Sequence, residues 1–339
     1  MSGAFHKTYD FVKQTKRDRY FELRQKEVKF LIDQDTGRIK KEFAEPLREC
    51  LICVSDNRNL IFQKEGFSFY RCVDCGFIYV DPQISEDALI KSYKGSEAND
   101  AWIDVLLSEV NMGYDTAKYA RGIDKIESVT NGSGRVLDIG CSVGLFLKVA
   151  RDRGWDPIGL EVNERALTHA REEWGLNVSQ KLLHEAAFPD ACFDAVSLWG
   201  VIEHLKDPVS VINEVNRILR NGGALISFCP NVESLVCRVM REHTSCFDGR
   251  NHCGYFSPTT ITCLFEKCGF EVLGIESYQP ELDTILNYVN FEPPYVKGSD
   301  MPNPVRELLG PAMIDVLEGI ILDRRLGYKM MTLGRKKER

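Results

Sequence analysis

The sequence predicts an α/β fold: a Rossmann-like, doubly wound domain of seven strands preceded by a small metal-binding ribbon. Three observations predict it. From Arg135 onward, short apolar runs alternate with helical patterns, the mark of a parallel sheet with crossover helices. The first of these runs ends in a glycine-containing turn, Val136 to Gly144, just ahead of a helical pattern. Such a turn lets backbone approach a ligand at the carboxyl ends of the strands. Ahead of both, Cys50-Leu-Ile-Cys53 and Cys72-Val-Asp-Cys75 stand 18 residues apart. A chain of 339 residues also fits roughly two domains of about 150 residues each.

Taken in order, residues 1–48 form an N-terminal extension rich in Lys and Arg, with a turn at Asp33 to Gly37 placed to join two short strands. Residues 49–82 form the ribbon. Two thiolates separated by two residues can hold one tetrahedral ion from a single tight turn, so the double pair predicts Zn2+ on Cys50, Cys53, Cys72 and Cys75. Four protein ligands leave no open position, which makes this zinc structural. Gly76 suits the second turn because it tolerates positive φ. Asn59–Phe62, Phe67–Arg71 and Phe77–Val80 read as the ribbon strands. Residues 83–130 are a helical lead-in, with Ser85 as a cap and a helix over Val110–Thr130 that presents Tyr119, Ile123 and Ile126 on its apolar side.

Residues 131–339 hold the main domain. Its predicted strands are Val136–Ile139, Pro157–Glu161, Asn177–Ser179, Ala195–Leu198, Ala224–Cys229, Phe270–Ser277 and Gly327–Leu333. Helices fill the gaps at Leu145–Arg153, Asn163–Trp174, Val209–Leu219 and Thr259–Cys268. Residues 279–325 separate the last two strands as an insertion expected to cap an acceptor pocket. Tyr278, Tyr288, Phe291 and Tyr295 are available there to line the pocket or to pack on the core.

Composition narrows the function class. With 44% hydrophobic and 27% charged residues the chain is ordinary globular protein. No apolar run reaches the roughly 18 residues of a membrane span, and Met1 to Lys16 lacks a signal-peptide core, so a cytoplasmic protein is expected, as a monomer or homodimer. The balance of 43 basic against 50 acidic residues, net −7, argues for a small-molecule acceptor and against a nucleic acid. Twelve cysteines are too sparse for a disulfide scaffold. Cys192, Cys229, Cys237, Cys263 and Cys268 fall on packing patterns, whereas Cys246 and Cys253 flank His252 and are candidates for reactivity.

Glu161 ends the second strand of the domain, where an acid can accept both ribose hydroxyls of a nucleoside. Phe193 to Leu198 then runs into Trp199-Gly-Val-Ile-Glu-His204, and Arg217 to Gly223 precedes the next strand. This order, over about Val110 to Leu333, resembles the class I S-adenosylmethionine-dependent methyltransferases. The resemblance implies S-adenosylmethionine as cofactor, bound over Asp138, Gly140, Cys141 and Gly144, with Ser142 where the family has its middle glycine. It also implies Glu161 on the ribose, Leu183 and His184 at the adenine, and Trp199 beside the methionine half. A nicotinamide dehydrogenase would want Gly-x-Gly-x-x-Gly, which Ser142 breaks and in which Asp138 has no place.

Methyl transfer to a hydroxyl needs a positioned pocket and a general base. His252, in the segment Arg250 to Ser257, resembles the histidine stretch that opens beside the cofactor in related small-molecule enzymes; His204 and then His243 are the other candidates. Glu292-Pro-Pro-Tyr295 resembles a motif of nucleic-acid amino-methyltransferases, but that motif follows the fourth strand, where this chain has Trp199 to His204. A ribbon ahead of such a domain resembles either ribosomal RNA methyltransferases or bacterial enzymes acting on nucleotide-linked sugars, surface polysaccharides and specialised metabolites. The negative charge, the His252 segment and the ending Leu322 to Met330 favour the second. The expectation is methyl transfer to a small-molecule hydroxyl, the alternatives being RNA methylation or cofactor binding without catalysis.

Overall fold

Alternating residues of the predicted strands face opposite sides of one sheet, and this alternation builds the architecture. The computed structural model describes residues 17–290 and 304–338. Three ribbon strands come first: β1 (Arg58–Lys64), β2 (Phe67–Cys72) and β3 (Ile78–Asp81). The main sheet follows with β4 (Arg135–Ile139), β5 (Asp156–Leu160), β6 (Asn177–Ser179), β7 (Phe193–Trp199) and β8 (Leu219–Pro230). A two-residue strand β9 (Gly254–Tyr255) precedes β10 (Phe270–Tyr278) and β11 (Lys329–Lys336).

The seven-stranded sheet has the order β6-β5-β4-β7-β8-β11-β10, parallel except for β11, which runs antiparallel between β8 and β10. Val136, Ala195, Ala224 and Ile226 pack on one face with Ile123 and Ile126 of the helix Glu109–Thr130. Their neighbours Leu137, Val196 and Leu225 pack on the other with Ile212, Val215 and Leu264 of the helices Pro208–Ile218 and Pro258–Lys267. The strand order reverses between β4 and β7, the switch point at which open α/β sheets take ligands. The last strand runs three residues beyond its predicted end because the Lys336 ammonium is buried against the carbonyls of Asn216 and Leu219, at 2.6 and 2.7 Å.

The ribbon shares a sheet with the His252 segment. β1, β2 and β3 form an antiparallel meander, and β9 adds to its edge, pairing Gly254 with Tyr79 and Tyr255 with Ile78. Gly254 permits the approach, since a Cβ there would lie 2.4 Å from the Phe77 ring. Phe67 and Phe69 pack with Phe247 and Tyr255, and Phe77 and Tyr79 join the core of the main sheet.

Two further expectations change. The Asp33 to Gly37 turn follows a helix, α1 (Arg17–Leu31), and closes only the bridge Ile32 to Ile39, because residues 17–31 are held by long-range charge pairs rather than by strand alternation. Cys263 is exposed, on the outer side of its helix. Within the insertion, Leu282 and Leu286 of helix Leu282–Val289 pack on Ile314 and Ile321 of helix Pro304–Asp323, which breaks at Gly310 ahead of Pro311. Tyr278 goes into the sheet core against Phe228 and Tyr288 lies tilted against His243, while Phe291 and Tyr295 lie outside the described residues. No helix among the described residues is long and apolar enough to cross a membrane.

Candidate active site

The glycine turn, the loop after β7 and the His252 segment open into one cavity of about 1130 Å³. Asp138, 2% exposed at the end of β4, accepts a 2.7 Å hydrogen bond from Ser197 Oγ. Burial pushes its carboxyl up to about 8, against the pull of that hydrogen bond. Gly140 (φ 70°), Ser142 (φ 49°) and Gly144 (φ 81°) are all left-handed, and a Cβ on Gly140 would lie 2.7 Å from Val201 Cγ2. Ser142 makes the turn with a side chain at a cost of about 1 kcal/mol or more, strain of a kind that collects at ligand sites.

That turn fixes the acid of the next strand. Glu161 accepts the Ser142 amide at 2.8 Å on one oxygen and the Asn163 amide at 2.7 Å on the other. Burial raises its carboxyl while these amides oppose the rise. Leu183 and His184 line the cavity, as does Trp199, whose ring packs on Tyr119 and Phe146. Cys141 contributes backbone, because its thiol is buried beneath Gly159, and burial pushes that thiol up.

His204 and His252 meet on the acceptor side, ring centroids 4.9 Å apart and edge-on. His252 Nδ1 lies 2.9 Å from the Cys246 carbonyl, and His204 Nδ1 lies 2.9 Å from the Asn251 carbonyl and 2.8 Å from the Tyr93 hydroxyl. A carbonyl only accepts, so each Nδ1 donates, and in the neutral ring the lone pair is left on Nε2. Burial, with the adjacent His204 adding to it, pushes His252 down to about 4. His243 is not part of the cavity wall and its ring lies tilted against Tyr288, centroids 6.0 Å apart. Cys246 and Cys253 are buried, and burial pushes the Cys253 thiol up to about 12, so neither is a reactive thiolate.

Several wall residues carried no recognisable motif. Arg24 of α1 holds the buried Asp248 carboxylate, and Glu27 pairs with Arg250. Burial alone would raise Asp248; Arg24, His252 and Arg250 outweigh it and hold the carboxyl well below the usual range. Asn111, Asp115 and Lys118 form a buried chain on Glu109–Thr130, with links of 2.8 Å, and Lys118 lies 4.3 Å from the Tyr119 ring centroid. The described part of the insertion contributes polar groups, Gln279, Glu281, Thr284 and Asn287, to the wall. Glu203 is 3% exposed and its Oε2 receives no hydrogen bond.

The four ribbon cysteines suit a tetrahedral ion. Their sulfurs all lie within 4.8 Å of one another, with 3.5 Å between Cys50 and Cys75 and 3.4 Å between Cys53 and Cys72. Zinc–sulfur bonds of 2.3 Å put tetrahedral sulfurs about 3.8 Å apart. The Ile52 amide points at Cys50 Sγ, and Gly76 turns back at φ 75°.

Residues 113–275 match the methyltransferase-domain family. The chain carries a methyltransferase domain. Its sheet order is that of the Rossmann-like class I fold. The chain is 31% identical over 107 residues to the ubiquinone biosynthesis O-methyltransferase of Methylococcus capsulatus, covering 30% of this chain and 45% of that protein. It is 35% identical over 98 residues to the protein of the same name from Azoarcus sp., covering 27% and 42%. The chain thus spans less than half the length of these curated relatives. A crystal structure of an S-adenosylmethionine-dependent methyltransferase from Archaeoglobus fulgidus superposes with TM-score 0.47 and 21% identity, over 74% of this chain and 100% of that one. The methyltransferase domain includes the glycine turn, Glu161, Glu203, His204 and His252 but not the ribbon or α1.

Proposed function

We propose that this chain is an S-adenosylmethionine-dependent methyltransferase acting on a hydroxyl of a small molecule, a nucleotide-linked sugar, polysaccharide precursor or specialised metabolite. The observation that carries the reading is that the amide-pinned Glu161 carboxylate and the two histidines face one cavity large enough for a nucleoside cofactor together with an acceptor. S-adenosylmethionine, when bound, supplies a methyl carbon on a sulfonium. Glu161 accepts the ribose hydroxyls, the Gly140 to Gly144 backbone lies along the cofactor, and Leu183 and His184 flank its base. His252 and His204 receive the acceptor hydroxyl at their Nε2 lone pairs and draw off its proton. An oxygen acceptor agrees with the relatives named O-methyltransferases.

Zn2+ on the four cysteines would tie the Cys50–Cys53 and Cys72–Cys75 turns into one unit. With Phe67, Phe69, Phe77 and Tyr79 buried against the methyltransferase domain, the ribbon's aromatics are used for packing, which favours a scaffold over an RNA-holding surface. Calorimetry with S-adenosylmethionine tests the cofactor half: micromolar binding is expected, weakened about 10-fold or more in Glu161→Ala, where two ribose hydrogen bonds to a charged group are lost. A wild-type protein with no affinity sinks the reading. Screening cell extract for products one methylene heavier tests the transfer, and affinity without any such product would leave a cofactor-binding protein.

A further inference from the structure

Glu203 has no part in the reaction as described, yet its carboxyl group is buried in the cavity wall with one oxygen unpartnered. A carboxylate 3% exposed with one oxygen accepting nothing is expensive unless something positive meets it. It sits on the turn Ile202–His204 directly after β7, next to His204, and its carbonyl accepts the Cys253 amide at 2.8 Å, which fastens this turn to the His252 segment. One ligand atom from each of Glu203, His204 and His252 lies within 4.8 Å of the other two, and all three residues line the cavity. Each histidine sends Nδ1 to a backbone carbonyl at 2.9 Å. That outer hydrogen bond is the one metal-bound histidines make, fixing the ring and leaving Nε2 for the ion.

We propose that Glu203, His204 and His252 bind a divalent first-row transition-metal cation whose open positions face the acceptor. Two imidazoles and one carboxylate suit such an ion and supply too few oxygens for calcium or magnesium. The ion's catalytic role rests on the methyl-transfer reading; its binding does not. The histidines then act as ligands rather than as free bases. The acceptor oxygen coordinates the cation, its O–H bond breaks and the proton leaves to solvent. The oxygen then forms a bond to the sulfonium methyl carbon as the carbon–sulfur bond breaks, with its electron pair staying on sulfur. The cation lowers the hydroxyl's pKa as it lowers that of bound water.

The test is Co2+ titration of the full chain preloaded with a single equivalent of Zn2+, which the four thiolates take first, followed by visible absorption and calorimetry. One Co2+ per chain is expected, without the thiolate charge-transfer bands that exchange into the ribbon would give. Glu203→Gln and His252→Ala should each weaken it at least about 10-fold, with S-adenosylmethionine affinity retained as proof that they fold. Wild-type protein taking up no Co2+ beyond the ribbon, or Glu203→Gln binding it as tightly as wild type, overturns the site. A wild type that takes up Co2+ but has no affinity for S-adenosylmethionine supports the site while removing the methyl-transfer reading.

Discussion

Arg24 reaches across 224 residues of chain to Asp248, and its removal has a cost that can be worked from the geometry. The two side chains are 14% and 8% exposed, and the guanidinium meets the carboxylate through Nη2 at 2.6 Å and Nε at 3.0 Å. Unit charges 4 Å apart at an effective dielectric of 20 attract by about 4 kcal/mol, and removing one partner of a buried pair costs about 3–5 kcal/mol. Asp248 keeps hydrogen bonds from Asn251 Nδ2 at 3.1 Å and the Arg250 amide at 3.3 Å, which places Arg24→Ala at the lower end, about 3 kcal/mol. Asp248→Asn in the same chain removes the stranded charge, so the double variant should regain part of the loss, with a coupling of about 2 kcal/mol. Urea unfolding of the four proteins reads this directly. At a slope of about 3 kcal/mol per molar, Arg24→Ala moves the midpoint by about 1 M. Cofactor affinity should hold, since Glu161 is pinned by other amides. Coupling under about 0.5 kcal/mol, the range of independent sites, would refute a working ion pair between α1 and the His252 segment.

Three further outcomes are expected. Asp138 titrates near 8 folded against about 4 unfolded, so its contribution to stability is full below pH 4 and is lost as pH rises through 8. Asp138→Asn should therefore flatten the fall of stability between pH 5 and 7.5 by up to about 1.4 kcal/mol per pH unit, and parallel wild-type and variant curves would show that the carboxyl ionises normally. Gly254→Ala drives a methyl into Phe77, which is fully buried, and should cost about 1–3 kcal/mol and lower turnover while cofactor affinity holds. Removing zinc with a chelator, or Cys72→Ser, should lower turnover as well as loosening residues 50–81; turnover untouched by chelation, with zinc loss verified by metal analysis, would separate ribbon from site.

The parts of the molecule visible in the sequence are those whose physics is local. Val136 to Gly144 reads correctly because a buried strand, a left-handed turn and a helix start each leave a mark within a few residues, and even the serine substitution keeps its left-handed φ of 49°. The cysteine pairs are legible for the same reason. Helix α1 left no such mark: its sequence is mostly charged, and what buries it is Arg24 and Glu27 finding Asp248 and Arg250 far along the chain. Asn111, Asp115 and Lys118 recur at helical spacing, which reads as a solvated face, yet that face turns into the cavity. β9, two residues long, is too short to show alternation. Glu203 was legible only as part of a motif, since nothing local says that its carboxylate lacks a donor.

The β9 pairing changes what a structural ion can do. A metal ribbon on a linker stabilises itself alone, but here the strand that leaves His252 is the outer strand of the ribbon's own sheet. His252 lies two residues before Gly254, whose approach to Phe77 leaves no room for a Cβ, and Phe77 follows Cys75 and Gly76 directly. Any slackening of the cysteine turns is therefore carried through Phe77 into the backbone that sets the His252 ring. Activation of the acceptor, by an imidazole or by an ion it holds, depends on sub-ångström placement, since a displacement of about 1 Å can cost 100-fold in rate. The glycine turn and Glu161 stand on β4 and β5, held by a different set of strand pairs. Zinc loss should consequently separate the two halves of the cavity, lowering turnover far more than cofactor affinity, a split that general unfolding would not produce.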